Sequence, residues 1–326
     1  MTAREGRSTP AEFIPASRLS LEGRVARVLR AVVLCGLACG PCFAADEPKS
    51  PKPAKPDNAA ADVALLRDAY MADAKEYRFA ADAEGKEELR FEPKAVMHWA
   101  SPDDWSGDLF VWSREGRPEV LGCMLAGPRE GGRRAFFHEL HALSTTTPPR
   151  RRLPNGKSWT LSAPPLAMSP VSNVDSPYQS AKPWLAQMRE VARGFSFGTI
   201  FQGGVWELRL LPQPVHRYRN PVLAQGDKTA PEGTAPSGNA KPDWHEGAIF
   251  AYVQSTGTDA EALLLVEARE TAQGVRWHYA PVRMSVNPLW LKQGNTEVWR
   301  VPAHSDPSGD KTLPYTSYFA GFKKTP

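Results

Sequence analysis

A serine in a G-x-S-x-G pattern is the first residue whose surroundings indicate chemistry: Ser196, in the segment Gly194–Gly198 (GFSFG). In α/β-hydrolases this pattern turns a strand into a helix and exposes the serine as a nucleophile. Here the predicted order is reversed, because a helical pattern precedes the motif and a strand pattern follows it. Ser196 is therefore a weak catalytic lead, and a helix end anchored by two phenylalanines is the favoured interpretation.

Two histidines in one strand-like segment, Phe137–His141 (FHELH), are the second candidate. Zinc proteases place two residues between His-Glu and the second His, so that both imidazoles share one helical face. This segment has one residue fewer, and in a strand positions 138 and 141 point to opposite faces. We predict no metal site, keep His138 and His141 as weak catalytic leads, and expect Glu139 and His141 in polar pairs.

A candidate binding surface lies in the segment 206–219 (WELRLLPQPVHRYR). Apolar and charged residues alternate as in a strand until Pro212 and Pro214, which exclude further pairing within a central strand. Trp, Tyr and Arg often anchor interfaces. The predicted binding residues are Trp206, Arg209, Arg217, Tyr218 and Arg219, the last three in the open. The alternative is an edge strand whose arginine stems cover apolar surface.

The rest of the pattern predicts an α+β fold with a mostly antiparallel sheet, an N-terminal helix over residues 59–83 and one central helix over 181–193. Short apolar runs bounded by turn residues predict the strands, and many of the 31 prolines lie between these runs. Segments 107–144 and 247–285 have similar patterns, each typical of a three-stranded meander. Duplication and shared strand composition both explain that similarity.

The first 45 residues have the features of a signal peptide: a positive leader, a short apolar core and small residues near Ala44 and Ala45. The apolar run is well short of the ~20 residues that a membrane span needs. We expect cleavage near Ala44 or Ala45 and a secreted or periplasmic protein without a transmembrane span in the mature chain. Residues 46–58 then predict a Pro/Lys linker, 84–326 a single β-rich domain and 222–243 a low-complexity insertion.

Charge and cysteine content restrict the function once this leader is removed. The remaining chain carries 34 Lys and Arg against 33 Asp and Glu, so no basic surface indicates a nucleic-acid partner. Cys123 is the one cysteine left, so no intramolecular disulfide can form. Its apolar neighbours favour a core position over a nucleophile. No cofactor is predicted.

Three further motifs occur together: W-E-L-R-L-L-P-x-P-x-x-R-Y at Trp206–Tyr218, G-A-x-F-A-[FY]-V at Gly247–Val253, and T-D-x-E-x-L-L-L-x-E-A-R at Thr258–Arg269. Gly116–Glu119 and His138–Ser144 belong to the same pattern. In these segments the chain resembles a group of uncharacterised secreted bacterial proteins. The resemblance covers most of residues 95–301 and implies one domain with an insertion near 222–243, but it implies no activity.

Two functions remain open at this point. The first is a non-catalytic binding or scaffold domain outside the cytoplasm, which presents the segment 206–219 to a protein or a cell-surface polymer. The second is an extracytoplasmic hydrolase whose catalytic residues are scattered along the chain. A binding module should show an exposed patch of aromatic and arginine side chains. An enzyme should show a pocket with perturbed carboxylates or histidines.

Overall fold

A computed structural model describes residues 56–82, 84–129, 131, 133–146, 150–152, 158–161, 166–224, 243–304 and 313–324. The helices in this part of the chain are α1 (Pro56–Lys75), α2 (Trp184–Arg193) and α3 (Pro221–Ala224). The strands are β1 (Arg90–Phe91), β2 (Met97–Ala100), β3 (Ser106–Arg114), β4 (Arg117–Arg129), β5 (Arg133–Ala142), β6 (Arg150–Arg152), β7 (Ser158–Thr160), β8 (Ser169–Pro170), β9 (Phe195–Phe201), β10 (Gly204–Glu207), β11 (Arg209–Leu210), β12 (His216–Arg219), β13 (Trp244–Val253), β14 (Ala260–Arg269), β15 (Arg276–Arg283), β16 (Leu289–Gln293), β17 (Thr296–Val301) and β18 (Tyr315–Lys324).

Three antiparallel sheets organise these strands. Sheet I has the order β1-β3-β4-β5-β18, with β2 also paired to β3. Sheet II has the order β11-β13-β14-β15-β8, with β12 also paired to β13, and sheet III has the order β10-β9-β16-β17. Strands β6 and β7 form a separate pair. The strand-rich, antiparallel α+β class predicted from the sequence is confirmed.

Sheets I and II pack face to face because their strands alternate side chains between two apolar faces. The inner faces meet through residues such as Leu109 and Leu121 from sheet I and Ile249 and Leu263 from sheet II. The outer face of sheet I packs against α1. The outer face of sheet II packs against α2 and sheet III. The result is a sandwich with one additional layer on each side.

The central strands of sheets I and II have the same order and closely matching registers. Two short strands pair with the first meander strand of each sheet: β1 and β2 with β3 in sheet I, β11 and β12 with β13 in sheet II. A register shift follows Trp112 in β3 and Tyr252 in β13, at matching places in the two ladders. After these shifts Ser113 pairs with Pro118 and Val253 pairs with Ala260. Arg117 directly precedes Pro118, and Asp259 directly precedes Ala260, so Arg117 and Asp259 occupy matching positions.

Several predicted boundaries are corrected. Helix α1 begins at Pro56 and ends at Lys75, so residues 56–58 of the predicted linker are helical and the helix stops before residue 83. Of the four apolar residues whose spacing predicts the helix, Leu66, Tyr70 and Ala74 are buried against sheet I, whereas Val63 is 46% exposed. Helix α2 begins at Trp184 because Pro183, with an extended ψ of 143°, precedes it.

The predicted single strand 205–211 is divided between two sheets. Strand β10 pairs with β9 in sheet III, whereas β11 pairs with β13 in sheet II. Leu208, between them, is buried in the core that joins the two sheets. Alternation of residue types is the same in one long strand and in two short strands, so the sequence pattern could not locate this change of sheet.

The predicted signal peptide, residues 1–45, and most of the predicted insertion at 222–243 lie outside the described residues. Residues 222–224 belong to α3. None of the helices in the described part of the chain is long and apolar enough to cross a membrane.

Candidate functional site

The candidate site is a cavity of about 530 Å³ at the place where the three sheets meet, here called the junction cavity. Its polar side chains include His141 from β5, Tyr315 from β18, Arg283 from β15 and His304, which follows β17. Its apolar wall comes mainly from β15 and β17, through Pro281, Val298, Trp299 and Val301. An apolar cavity with a few converging polar groups is the usual form of a small-molecule site.

His141 presents a lone pair in this cavity. Its Nδ1 lies 2.8 Å from the carbonyl oxygen of Ala142, which can only accept, so Nδ1 carries the proton. Nε2 has no hydrogen-bond partner among the described residues and is therefore an acceptor. Burial lowers the pKa of His141 to about 4, against a smaller opposing effect of the hydrogen bond to Ala142. The imidazole is neutral at physiological pH.

Glu139 lies behind Tyr315, two residues before His141 on the same face of β5. The Tyr315 hydroxyl donates a hydrogen bond of 2.7 Å to Oε1 of Glu139. Burial raises the pKa of Glu139 to about 8, and the charge of Glu261 adds to this rise. The hydrogen bond from Tyr315 and the charge of Arg283 oppose the rise without cancelling it. Glu139 is therefore mainly protonated at neutral pH.

Two more carboxyl groups lie near Glu139: Glu261 in β14, whose charge raises the pKa of Glu139, and Asp259 just before β14, whose own pKa Glu139 raises. We call Glu139, Asp259 and Glu261 the carboxyl cluster. Burial and then the charges of the other two members raise the pKa of Asp259 well above its usual value. Burial also raises the pKa of Glu261. Oε1 of Glu261 accepts a hydrogen bond from Gln254, whereas Oε2 is buried without a partner among the described residues. The cluster therefore favours bound protons over negative charge.

Arg283 is the cation beside this cluster. Its guanidinium donates to the carbonyl oxygens of Asn287, at 2.7 Å, and Pro302. It also lies 5.7 Å from the centre of the Tyr315 ring. Burial lowers the pKa of Arg283. Its Nε–H is buried without a partner in the described part of the chain, so one donor is left unused at this cavity.

The opposite arrangement occurs in a second buried group, the Arg117 network, which consists of Arg117, Glu119, Tyr218, Glu267 and Arg269. Arg117 of sheet I donates to Glu267 of sheet II at 2.8 Å, and Arg269 donates to the other oxygen of Glu267 at 2.7 Å. Tyr218 donates to Glu267 at 2.7 Å. Burial would raise the pKa of Glu267, but Arg117 and then Arg269 hold it below its usual value. Two arginines thus balance two glutamates.

The predicted binding residues are only partly brought together. Arg217 and Arg219 share the outward face of β12, whereas Tyr218 points inward and is 5% exposed. The prediction that Tyr218 lies in the open is therefore wrong, because strand alternation places its ring over Gly247, where a Cβ would come within 2.4 Å of it. Trp206 lies in sheet III and Arg209 in β11, both exposed.

The three weak catalytic leads are not brought together. His138 points to the α1 side of sheet I, where Nδ1 lies 2.7 Å from the Tyr77 hydroxyl and Nε2 3.1 Å from Asp73. His141 points to the opposite face, as predicted for a strand. Ser196 lies in β9 of sheet III, and the described residues that line the nearby cavity include no histidine. Comparison with protein-family models, curated proteins and solved structures gives no match.

Sequence reasoning missed most of the junction cavity. Arg283 and Tyr315 are more than a hundred residues from His141 in the chain and belong to no recognisable motif. The sequence predicts Glu139 only as a member of a polar pair, in a segment whose spacing does not fit a zinc-binding motif. One signal was available, since charged residues such as Glu139 and Glu261 interrupt otherwise apolar strands and are costly to bury without a role.

Proposed function

We propose that the protein is a non-catalytic binding domain that acts in the periplasm or outside the cell. Its ligand would be a small, largely apolar molecule with at least one hydrogen-bond donor, held in the junction cavity. The observation that carries this proposal is the combination of an apolar wall with an unprotonated Nε2 of His141. An acceptor that loses its water when a ligand fills the cavity needs a new hydrogen-bond donor. In an apolar cavity a neutral donor on the ligand is favoured over a charged one.

The surrounding charges support a neutral ligand. The pKa values of Glu139 and Asp259 are raised, so their surroundings disfavour negative charge. A negatively charged ligand near Glu139 would meet the same penalty. A cation would face Arg283. A molecule without charge avoids both penalties and gains the burial of its apolar surface, about 25 cal/mol for each Å².

The test uses N-phenyl-1-naphthylamine, a neutral fluorescent probe with one N–H donor, and the full chain. Ala303 is exposed at the rim of the cavity and lies outside the strands. We expect saturable binding to the wild type, and Ala303→Trp should weaken it by at least about tenfold by filling the entrance. The readout is the rise in probe fluorescence.

The matched control is Ala272→Trp, which adds the same side chain at an exposed turn residue between β14 and β15. We expect its probe affinity to equal that of the wild type. Equal effects of the two tryptophans, or no saturable binding to the wild type, would contradict the proposal. Melting temperatures within a degree or so of the wild type would show that both variants fold.

A second candidate is the hydrolase, and the geometry of His141 is the observation that favours it. A neutral imidazole with a free Nε2 can accept a proton from an attacking water, and a protonated Glu139 lies two residues away in β5. The pKa of about 4 makes His141 a weak base at neutral pH, so the expected rate is low. A hydrolase should turn over p-nitrophenyl acetate and lose that activity in His141→Gln. Equal rates in the two proteins would remove this candidate.

We also propose that the two meanders arose by duplication and that the chain belongs with the secreted proteins it resembles. The matching strand order, flanking strands and register shifts of sheets I and II support the first idea. The leader-like residues 1–45 and the motifs from Trp206 to Arg269 support the second. If the partner is instead a protein or a cell-surface polymer, as the sequence suggests, it would have to present a small apolar group that enters the junction cavity.

A further inference from the structure

A second cavity, of about 400 Å³, lies at the edge of sheet II on β12 and is here called the edge pocket. Strand alternation places Arg217 and Arg219 on one face of β12, two residues apart, with the intervening Tyr218 turned inward. Their side chains are 44% and 52% exposed. Two guanidinium groups therefore face solvent from neighbouring positions on the same side of one strand.

A buried carboxylate holds these two arginines in place. Glu246 of β13, 2% exposed, lies directly opposite Arg219 in the ladder. Its Oε1 accepts from Arg217 Nε at 2.6 Å, and its Oε2 accepts from Arg219 Nε and Nη2 at 3.2 and 3.1 Å. The trio keeps a net charge of +1. A guanidinium that is already oriented loses less conformational entropy when it binds an anion.

Donors remain available on both arginines after this pairing. Nη1 of Arg217 and Nη1 of Arg219 have no hydrogen-bond partner among the described residues. Charge-assisted hydrogen bonds from arginine to a carboxylate are about twice as strong as neutral ones. The exposed side of the pair can therefore donate hydrogen bonds to an anion.

Aromatic rings form the opposite wall of the edge pocket. Tyr178, Trp184 and His245 contact one another edge to face, with ring centres 5.3 Å apart for Tyr178 and Trp184 and 6.0 Å apart for Trp184 and His245. The Tyr178 side chain is 66% exposed, so one ring face is open. Ring-to-ring contacts contribute beyond simple burial when their geometry is offset or edge to face.

We propose that the edge pocket binds a carboxylate that is attached to an aromatic ring. The carboxylate would accept hydrogen bonds from Arg217 and Arg219, and the ring would pack against Tyr178 and Trp184. This site lies on β12, at the opposite edge of sheet II from β15 and β8. It is therefore separate from the junction cavity and does not depend on the neutral ligand proposed there.

The test titrates the full chain with benzoate and, separately, with benzamide and acetate, and follows binding by ligand-observed NMR. Benzamide keeps the ring without the charge, whereas acetate keeps the charge without the ring. We expect benzoate to bind at least about tenfold more tightly than either, the amount that one charge-assisted hydrogen bond can supply. The benzoate affinity should also fall as the salt concentration rises, because salt screens the attraction between the carboxylate and the exposed arginines.

Variants locate the site. Arg219→Gln should weaken benzoate binding roughly tenfold while Arg217 still pairs with Glu246. Tyr178→Ala should lower the affinity for benzoate to that for acetate. The matched control is Arg90→Gln, which removes an exposed arginine that is also paired with a glutamate, Glu92, and does not line the pocket. Ala303→Trp should leave benzoate binding unchanged, because it alters the other cavity.

Three results would overturn the proposal. Benzoate and benzamide could bind equally, which would mean that the arginines play no part. Arg90→Gln could weaken benzoate binding as much as Arg219→Gln, which would indicate general charge attraction. Benzoate could also fail to bind in a saturable manner at millimolar concentration, and then no site of this kind exists.

Discussion

The Arg117 network and the carboxyl cluster both lie between sheets I and II, yet their burial and charges differ. All members of the Arg117 network are buried, whereas in the carboxyl cluster Glu261 is buried and Glu139 and Asp259 are half-buried. Arg117 and Asp259 occupy matching positions at the start of β4 and just before β14, one basic and the other acidic. Around Arg117, two arginines balance two glutamates, and the pKa of Glu267 is lowered. Around Asp259, three carboxyl groups face one arginine, and the pKa of Glu139 is raised to about 8.

We infer that this difference separates a group that stabilises the fold from a group that serves the binding site proposed at the junction cavity. Burial of an ion pair is tolerated when each charge has a partner and its hydrogen bonds are satisfied. The Arg117 network meets that condition for Glu267, which donors from three residues surround. The carboxyl cluster does not meet it, and the hydrogen bond from Tyr315 to Glu139 links it to the wall of the junction cavity. Perturbed carboxyl groups beside a cavity are typical of binding or catalytic sites.

The largest effect should come from Glu267→Gln in the Arg117 network. The change keeps the shape of the side chain but leaves Arg117 buried without its main countercharge. Breaking one side of a buried pair costs about 3–5 kcal/mol, so the free energy of unfolding at pH 7 should fall by that amount in urea denaturation. Probe binding in the junction cavity should be retained wherever the variant remains folded.

Glu207→Gln is the matched control, because it makes the same chemical change at an exposed residue of β10. Its free energy of unfolding should stay within about 0.5 kcal/mol of the wild type. A loss below about 1 kcal/mol in Glu267→Gln would break the comparison, since the Arg117 network would then contribute no more than a surface ion pair.

The sequence predicted the parts of this molecule that depend on local pattern. The apolar spacing of Leu66, Tyr70 and Ala74 predicted α1, and alternation predicted that His138 and His141 point to opposite faces. Cys123 is buried, and burial raises the pKa of its thiol, as its apolar neighbours indicated. Each of these properties is determined by residues within a few positions of one another.

The junction cavity depends instead on contacts between distant segments. His141, Arg283 and Tyr315 meet because β18 pairs with β5 and because sheet II packs on sheet I. Neither event leaves a local trace in the sequence. The same limit explains Tyr218, whose inward direction depends on the register of β12 against β13 and on the absence of a side chain at Gly247.

Glu139→Gln in the carboxyl cluster should have a smaller effect, and it should raise the free energy of unfolding above pH 6 rather than lower it. The pKa of Glu139 is raised to about 8 from 4.5, so between these pH values the folded state holds a proton that the unfolded state has lost. Stability must then fall as the pH rises through this window, by up to about 1.4 kcal/mol for each pH unit. Glu139→Gln is neutral at every pH and removes this loss. His141, with a lowered pKa, acts at lower pH and in the other direction, since its contribution is lost as the pH falls from 6.5 towards 4.

The most direct test is therefore the free energy of unfolding of the wild type and Glu139→Gln, measured by urea denaturation at pH 6 and at pH 8. Subtracting the two proteins cancels the contribution of His141 and of the other groups outside the carboxyl cluster, but not that of the cluster itself, because Glu139 acts on the pKa of Asp259. The account predicts that the variant gains about 2 kcal/mol relative to the wild type between these pH values. A difference that does not change with pH, or that changes in favour of the wild type, would show that Glu139 ionises normally and would contradict the contrast between the two buried groups.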